Sequence, residues 1–161
     1  MKPATCLIAC LCLSASAHAA PVSDPVDQRR ASLQQRGAEI LKREQARSKA
    51  HLCETGVDPV IANCWVREGK TTDADYTAYV RAVGALLRLP PFSPAPPPDG
   101  LPRPLKFDDA EAAWLAYRKQ ACDAMTAQWE GGTYGRIAYP RCLVTVTWRH
   151  MNELADLYAG P

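Results

Sequence analysis

Of the seven cysteines, three lie in the apolar N-terminal segment, and the four residues best suited to chemistry are Cys53, Cys64, Cys122 and Cys142. Cysteines bind zinc at characteristic spacings, act as nucleophiles beside a base, or oxidise in pairs to disulfides. The sequence has no CxxC, and the 10 and 19 residues that lie inside the first and second neighbouring pairs match no zinc finger. We therefore predict two disulfides, no metal site and no nucleophilic thiol.

The pairing of these cysteines is open in principle, because four cysteines allow three connectivities. The reach of the chain favours disulfides between cysteines that are neighbours in the sequence. Cys122 lies about eight residues, or roughly 12 Å, before the expected helix end at Gly131, while residues 133–141 can extend about 30 Å. The ETGVDP segment can likewise fold back between the first two cysteines. We predict the bridges Cys53–Cys64 and Cys122–Cys142, each contributing about 3 kcal/mol.

Other catalytic candidates are sparse. His51 and His150 lie in different predicted elements, and the sequence contains neither GxSxG nor HExxH. The acid pair Asp108-Asp109 is explained by the favourable position of carboxylates at a helix N-terminus. We therefore predict a protein that is not an enzyme and needs no cofactor, with an uncharacterised hydrolase as the less favoured alternative.

The N-terminal residues 1–19 have the pattern of a secretory signal peptide: one cation, an apolar run and an A-x-A site at residues 17–19. We expect the mature chain to begin at Ala20 and to be periplasmic or secreted. An alternative is a lipoprotein signal, with lipid attached at Cys10. Paired thiols suit the oxidising compartments that such signals lead to.

The expected mature chain keeps 142 of 161 residues, enough for one domain. Loss of one lysine leaves 18 cations against 17 carboxylates, a formal +1, which gives no case for nucleic-acid binding. No later stretch approaches the ~20 apolar residues of a transmembrane helix. We divide the chain into a signal (1–19), a basic helical extension (20–52) and a helical domain (53–161).

Helical periodicity and end signals predict an all-α protein, since no run alternates with period two over a useful length. The expected helices span residues 25–50, 58–68, 72–89, 107–131 and 142–158. Gly69 is expected to end the second of them and Thr72 to cap the third. A proline-rich loop at residues 90–104 connects the two halves of a small disulfide-linked bundle.

Two helices have faces that invite a functional interpretation. The first carries a narrow apolar stripe, Val26, Leu33 and Ile40, among many basic residues. We interpret it as a solvated helix that rests on the domain, the alternative being a basic surface for an acidic partner or lipid headgroups. The fourth has a broad stripe: Trp114, Tyr117, Ala121, Cys122, Met125 and Trp129. Beside that stripe, Arg118 is expected to pair with Glu111, Asp123 or an acid of the last helix.

Motifs in the final third of the chain carry a resemblance. They are W-L-x-Y-R-x-x-x-C from Trp114 to Cys122, GGT from Gly131, C-L-x-x-x-T from Cys142 to Thr147, and Glu153-Leu154. Together they resemble the bacterial lysozyme inhibitor LprI-like N-terminal domain family, which is small, helical, exported and cysteine-bearing. The similarity spans about residues 53–158. The chain departs from the family pattern at His150, where an arginine is usual, and at Tyr76-Thr77, where Leu-Asn is usual.

The resemblance implies a protein partner, with lysozyme as the candidate. Lysozyme acts through two carboxyl groups in a cleft, so an inhibitor must fill that cleft or present donors to them. The segment after the double glycine offers aromatic and arginine anchors: Tyr134, Arg136, Tyr139 and Arg141. Alternatively, the glycines only make the turn and the tyrosines cover the core. The competing role is a structural or stress-related protein of the cell envelope, and the oligomeric state is left open.

Overall fold

The computed structural model describes residues 24–50, 52–91, 102–129 and 132–158. They form four α-helices: α1 (Pro25–Lys49), α2 (Asp58–Leu87), α3 (Arg103–Ala127) and α4 (Gly135–Tyr158). The prediction of an all-α fold is confirmed. The predicted signal peptide, Cys10, His51 and most of the proline-rich loop lie outside the described residues.

Helix α1 begins as the sequence predicts. Asp24 accepts a 2.9 Å hydrogen bond from the backbone N–H of Val26, and Pro25 occupies the first turn. Only Gly37, Ile40 and Glu44 are buried along its length. The helix thus rests on α2 and α4 through a narrow stripe, with the basic residues mostly in solvent.

The prediction of two helices separated at Gly69 is wrong, because α2 is one helix of 30 residues. A glycine inside a helix costs about 1 kcal/mol. Here the residues on both sides of it, Trp65 and Thr72, are buried, and a Cβ at Gly69 would lie 3.9 Å from Val144 of α4. Thr72 donates a hydrogen bond to Glu44 instead of capping a new helix. Tertiary burial therefore outweighs the local stop signal.

Helices α3 and α4 both begin earlier than predicted. α3 begins at Arg103, so the acid pair Asp108-Asp109 lies inside the helix and not at its N-terminus, and Phe107 is a core residue. α4 begins at Gly135 rather than at Cys142, with Pro140 inside it. Ile137 and Ala138 of its first turn are buried, and this burial holds the early turns in helical form despite the proline.

Two apolar clusters form the interior. The larger joins all four helices around Tyr76, Tyr79, Phe107, Met151 and Leu154. The smaller packs the start of α2 against α4; its buried members are Trp65, Ile137 and Val144.

The disulfides connect the pairs expected from chain reach, with Cα–Cα distances of 5.5 Å for Cys53–Cys64 and 5.6 Å for Cys122–Cys142. Both lie at the end of the bundle that holds the smaller cluster and the turn between α3 and α4. Among the described helices none is long and apolar enough to cross a membrane.

Candidate binding surface at the turn between α3 and α4

The bundle interior contains a cluster of titratable groups around Glu111. Its Oε2 accepts a 2.7 Å hydrogen bond from the Tyr76 hydroxyl, and His150 Nε2 lies 3.0 Å from its Oε1. The His150 ring stacks on Trp114 with 3.9 Å between centroids. Burial and the neighbouring carboxylate raise the pKa of Tyr76 above its usual range. Since Tyr76, Glu111 and His150 are all buried, this cluster stabilises the fold and is closed to a substrate.

Arg118 joins three helices beside that cluster. Its guanidinium donates to Asp73 Oδ1 of α2 at 2.7 Å and to Thr147 Oγ1 of α4 at 2.9 Å. It also lies over the Trp114 ring, 5.4 Å from the centroid. The expected acid partners were wrong: Glu111 bonds to Tyr76 and His150, while Asp123 pairs with Lys119 on its own helix.

A second buried carboxyl group, Glu44, attaches α1 to the rest of the bundle. It pairs with Arg47 and accepts hydrogen bonds from Thr72 Oγ1 at 3.1 Å and from the Trp148 indole N–H. Burial is the largest cause that raises its pKa, followed by a hydrogen bond with Asp75. This cluster also faces inward, so neither buried carboxyl group offers a site for external chemistry.

The four predicted anchor residues lie at the start of α4, and they divide between two surfaces. Tyr134 precedes the helix, whereas Arg136, Tyr139 and Arg141 lie on its first two turns. Residues 135–141 are helical and do not form the extended connection that the sequence predicted before Cys142. Tyr134 and Arg141 line one groove; Arg136 and Tyr139 line depressions on another side.

We call the first surface the aromatic groove, defined by Gln128, Trp129, Tyr134, Arg141, Thr145 and Arg149. The Trp129 and Tyr134 rings meet edge to face, 4.6 Å apart and inclined by 62°. They stay 42% and 38% exposed. The Cys122–Cys142 disulfide lies beside the groove, since Cys142 is among its lining residues, and fixes α3 against α4 there.

We call the second surface the arginine ridge, defined by Arg136 and Tyr139 of α4 with Val66 and Lys70 of α2. Arg136 lines three adjoining depressions, so its exposed side chain forms the boundary between them. One of these depressions reaches Val57, which is 68% exposed. The arginine ridge thus presents the exposed cation of Arg136 between depressions that are partly apolar.

Exposed arginines occur on all four helices, some with and some without a carboxylate partner among the described residues. The exposed arginines of α1, α2 and α3 include several with carboxylate partners, such as Arg43 with Asp75 and Arg88 with Asp108. Within the described part of the chain, Arg136, Arg141 and Arg149 have no ion pair, although Arg141 lies 5.8 Å from the Trp65 ring centroid. The unpaired guanidinium groups on α4 can bind anions, which the formal net charge of the chain does not indicate.

Sequence reasoning missed two members of the aromatic groove. Trp129 was assigned to the broad apolar stripe of the fourth predicted helix, but α3 ends at Ala127 and leaves the indole at the surface. Arg149 was not among the predicted anchor residues. Its spacing of eight residues from Arg141, about two helical turns, was the available signal. Tyr117 is likewise exposed and not part of the core.

Metal binding has no support in the described residues, where no group of three His, Cys, Asp or Glu side chains comes together.

Comparison with known proteins identifies one family. The family model described as Lysozyme inhibitor LprI matches residues 54–154. The match covers 101 of 161 residues, from the first disulfide loop to the last turns of α4, and leaves α1 outside it. No curated protein and no solved structure matches the chain.

Proposed function

Because this chain belongs to the lysozyme inhibitor LprI family, we propose that it is an exported, non-enzymatic binding protein that inhibits a lysozyme. The family match is the observation that carries this proposal. The exposed, unpaired arginines at the start of α4 support it, because they offer charged donors at a surface that a protein partner can reach.

The arginine ridge suits the chemistry of such a partner. A lysozyme cleft holds one carboxylic acid and one carboxylate beside the scissile bond. A guanidinium placed in the cleft makes charge-assisted, two-pronged hydrogen bonds to a carboxylate. We propose Arg136 as the residue that enters, with Tyr139 beside it and Tyr134 and Arg141 at the edge of the contact.

Rigidity supports this assignment. Arg136 lies on a helix that begins at Gly135, and the Cys122–Cys142 disulfide ties that helix to α3. An anchor that is ordered before binding loses less conformational entropy on association than one on a mobile segment. The arginine ridge therefore needs no loop flexibility to act as a plug.

The compartment follows from the same proposal. A lysozyme inhibitor must meet its target outside the cytoplasm, and two disulfides persist in the oxidising conditions found there. An export signal at residues 1–19 provides the route. We expect the purified exported chain to begin at Ala20.

The test is a lysis-protection assay with the oxidised mature chain against several types of lysozyme. We expect protection against at least one type, and we expect the Tyr134→Ala/Arg136→Ala double variant to inhibit at least 30-fold less, since loss of anchor residues costs about 2 kcal/mol or more. Arg81→Ala is the matched control. Arg81 is an exposed arginine of α2, and it is eight residues beyond Asp73, the nearest α2 residue that lines the hollows of the ridge, or about 12 Å along the helix.

Each outcome separates the readings. Protection that the double variant loses and Arg81→Ala keeps supports the ridge as the contact. Protection that both variants keep contradicts the ridge and moves the contact elsewhere, with the basic face of α1 next in order. Absence of protection against every type tested contradicts inhibition and favours the structural role in the cell envelope.

A further inference from the structure

The aromatic groove has the dimensions of a small-molecule site. Its volume is about 370 Å³, within the range of roughly 300–1,000 Å³ common for ligand pockets. Its walls come from α3, α4 and the turn between them, held together by the Cys122–Cys142 disulfide. The arginine ridge does not contribute to it, because Arg136 is absent from its lining. The groove therefore adjoins the arginine ridge without containing Arg136, and Trp129 lines both the groove and one of the depressions beside the ridge.

The two aromatic rings define what shape of ligand fits. Trp129 and Tyr134 meet at 62°, so they form a corner with two apolar walls that remain open to solvent. Covering an exposed aromatic ring with an apolar surface is energetically favourable. A pyranose presents such a surface, because one face of the ring carries C–H groups while the hydroxyls point outward.

The polar lining determines the charge of the ligand. Arg141 and Arg149 line the groove, no carboxylate does, and neither guanidinium has an ion pair in the described part of the chain. The two residues are eight positions apart on α4, or about 12 Å along its axis. One guanidinium can therefore hold a carboxylate while the other bonds to a different oxygen of the same ligand. Gln128 and Thr145 add donors and acceptors for hydroxyl or amide groups.

From these features we propose that the aromatic groove binds an acidic sugar, a pyranose that carries a carboxylate. The sugar ring packs in the corner between Trp129 and Tyr134, and the carboxylate pairs with Arg149. Arg141, already over the Trp65 ring, donates to a neutral oxygen of the ligand. The proposal does not depend on lysozyme inhibition, since Trp129 and Arg149 take no part in the proposed inhibitor contact, although Tyr134 and Arg141 line the groove and also lie at the edge of that contact.

The probe pair is N-acetylmuramic acid and N-acetylglucosamine, which share the same acetamido sugar and differ in the lactyl carboxylate of the former. Titration of the oxidised mature chain is followed by the NMR signal of the Trp129 indole N–H, assigned with Trp129→Phe. We expect N-acetylmuramic acid to bind at least tenfold more tightly than N-acetylglucosamine, a difference of about 1.4 kcal/mol. Free lactate serves as the third probe and is expected to bind more weakly than N-acetylmuramic acid.

The variants assign the carboxylate partner. Arg149→Ala is expected to reduce the affinity for N-acetylmuramic acid about tenfold, to the level of N-acetylglucosamine, while Arg136→Ala leaves it unchanged. Both side chains are exposed, and matching thermal unfolding curves will establish that both variants are folded.

Four results overturn the proposal: equal affinity for the two sugars, lactate binding as tight as that of N-acetylmuramic acid, a titration that leaves the Trp129 signal in place, or undiminished binding by Arg149→Ala. Binding lost in Arg149→Ala while lysis protection is kept supports a separate glycan site. Lysis protection lost in Arg136→Ala with glycan binding kept supports the same separation from the other side.

Discussion

Glu44 and Glu111 are both buried carboxyl groups that accept hydrogen bonds from side chains of other helices, yet they serve different parts of the molecule. Glu111 lies in the family-matched bundle, where it accepts a hydrogen bond from Tyr76 and lies 3.0 Å from His150 Nε2, while His150 Nδ1 is 3.5 Å from the exposed Glu153. Glu44 lies on α1, outside the match, and shares Arg47 with Glu68. Glu111 is thus the carboxylate that Tyr76 and His150 Nε2 share, whereas one partner of Glu44, Arg47, keeps a second carboxylate when Glu44 is removed.

The larger loss of stability is expected when Glu111 is removed. Glu111→Ala is expected to lower the free energy of unfolding by about 3–5 kcal/mol, the usual effect of removing one partner of a buried polar pair. The reason is that the Tyr76 hydroxyl and the His150 ring nitrogen then remain buried without an acceptor. Urea denaturation followed by tryptophan fluorescence measures it. A loss below that of Glu44→Ala, where Arg47 still has Glu68, would reverse the comparison.

The raised pKa of Glu44 is expected to make stability depend on pH in the acidic range. Because its pKa is raised in the folded protein, the folded state retains a proton that the unfolded state releases. This contribution is fully present below the unfolded pKa of about 4.3 and is lost as pH rises through the folded pKa. Arg47, Glu68, Asp75, Thr72 and Trp148 face the carboxyl group and set its environment.

Relative to Glu44→Gln, the unaltered protein should therefore lose stability as pH rises from about 4 toward neutrality. Urea denaturation at a series of pH values across this range measures the difference. Glu39→Gln is the matched control, because Glu39 is an exposed glutamate of the same helix. A stability difference that stays constant with pH, or that changes in the opposite direction, contradicts a raised pKa for Glu44.

The smallest effect is expected at the rim of the α1 network. Arg43 pairs with Asp75 at 2.8 Å, but its side chain is 56% exposed. Ion pairs of this kind contribute about 0.2–1 kcal/mol and weaken with salt. Arg43→Ala should lower the unfolding free energy within that range at low salt and by less at about 0.5 M salt. A loss as large as that of Glu111→Ala would show that the exposed pair of Arg43 and Asp75, and not the buried carboxyl group of Glu44, attaches α1.

The sequence was informative wherever a structure depends on residues close together in the chain. Asp24 caps α1 by bonding to a backbone N–H two residues away, and both disulfides join cysteines that chain reach already brings together. Composition and periodicity were likewise enough for the all-α fold. The family resemblance rested on short motifs in α3 and α4, and the match to residues 54–154 confirms it.

The features that the sequence did not predict depend on distant residues. Glu111 has the spacing of a capping box, but its partner His150 is 39 residues away on another helix. Gly69 has the local character of a helix stop, and only the packing of Val144 against it shows why α2 continues. The aromatic groove combines the end of α3 with a face of α4, so no single segment could reveal that Trp129 and Arg149 share a surface.

Both disulfides are local, closing separations of 11 and 20 residues, and this arrangement has a consequence for biogenesis. In a chain delivered N-terminus first into an oxidising compartment, Cys64 emerges next to Cys53 before Cys122 is present to compete. Joining cysteines in their order of appearance then gives the native pairs, because thiol–disulfide exchange has no earlier wrong bridge to undo. Oxidative folding of this protein should therefore need an oxidant but no isomerase.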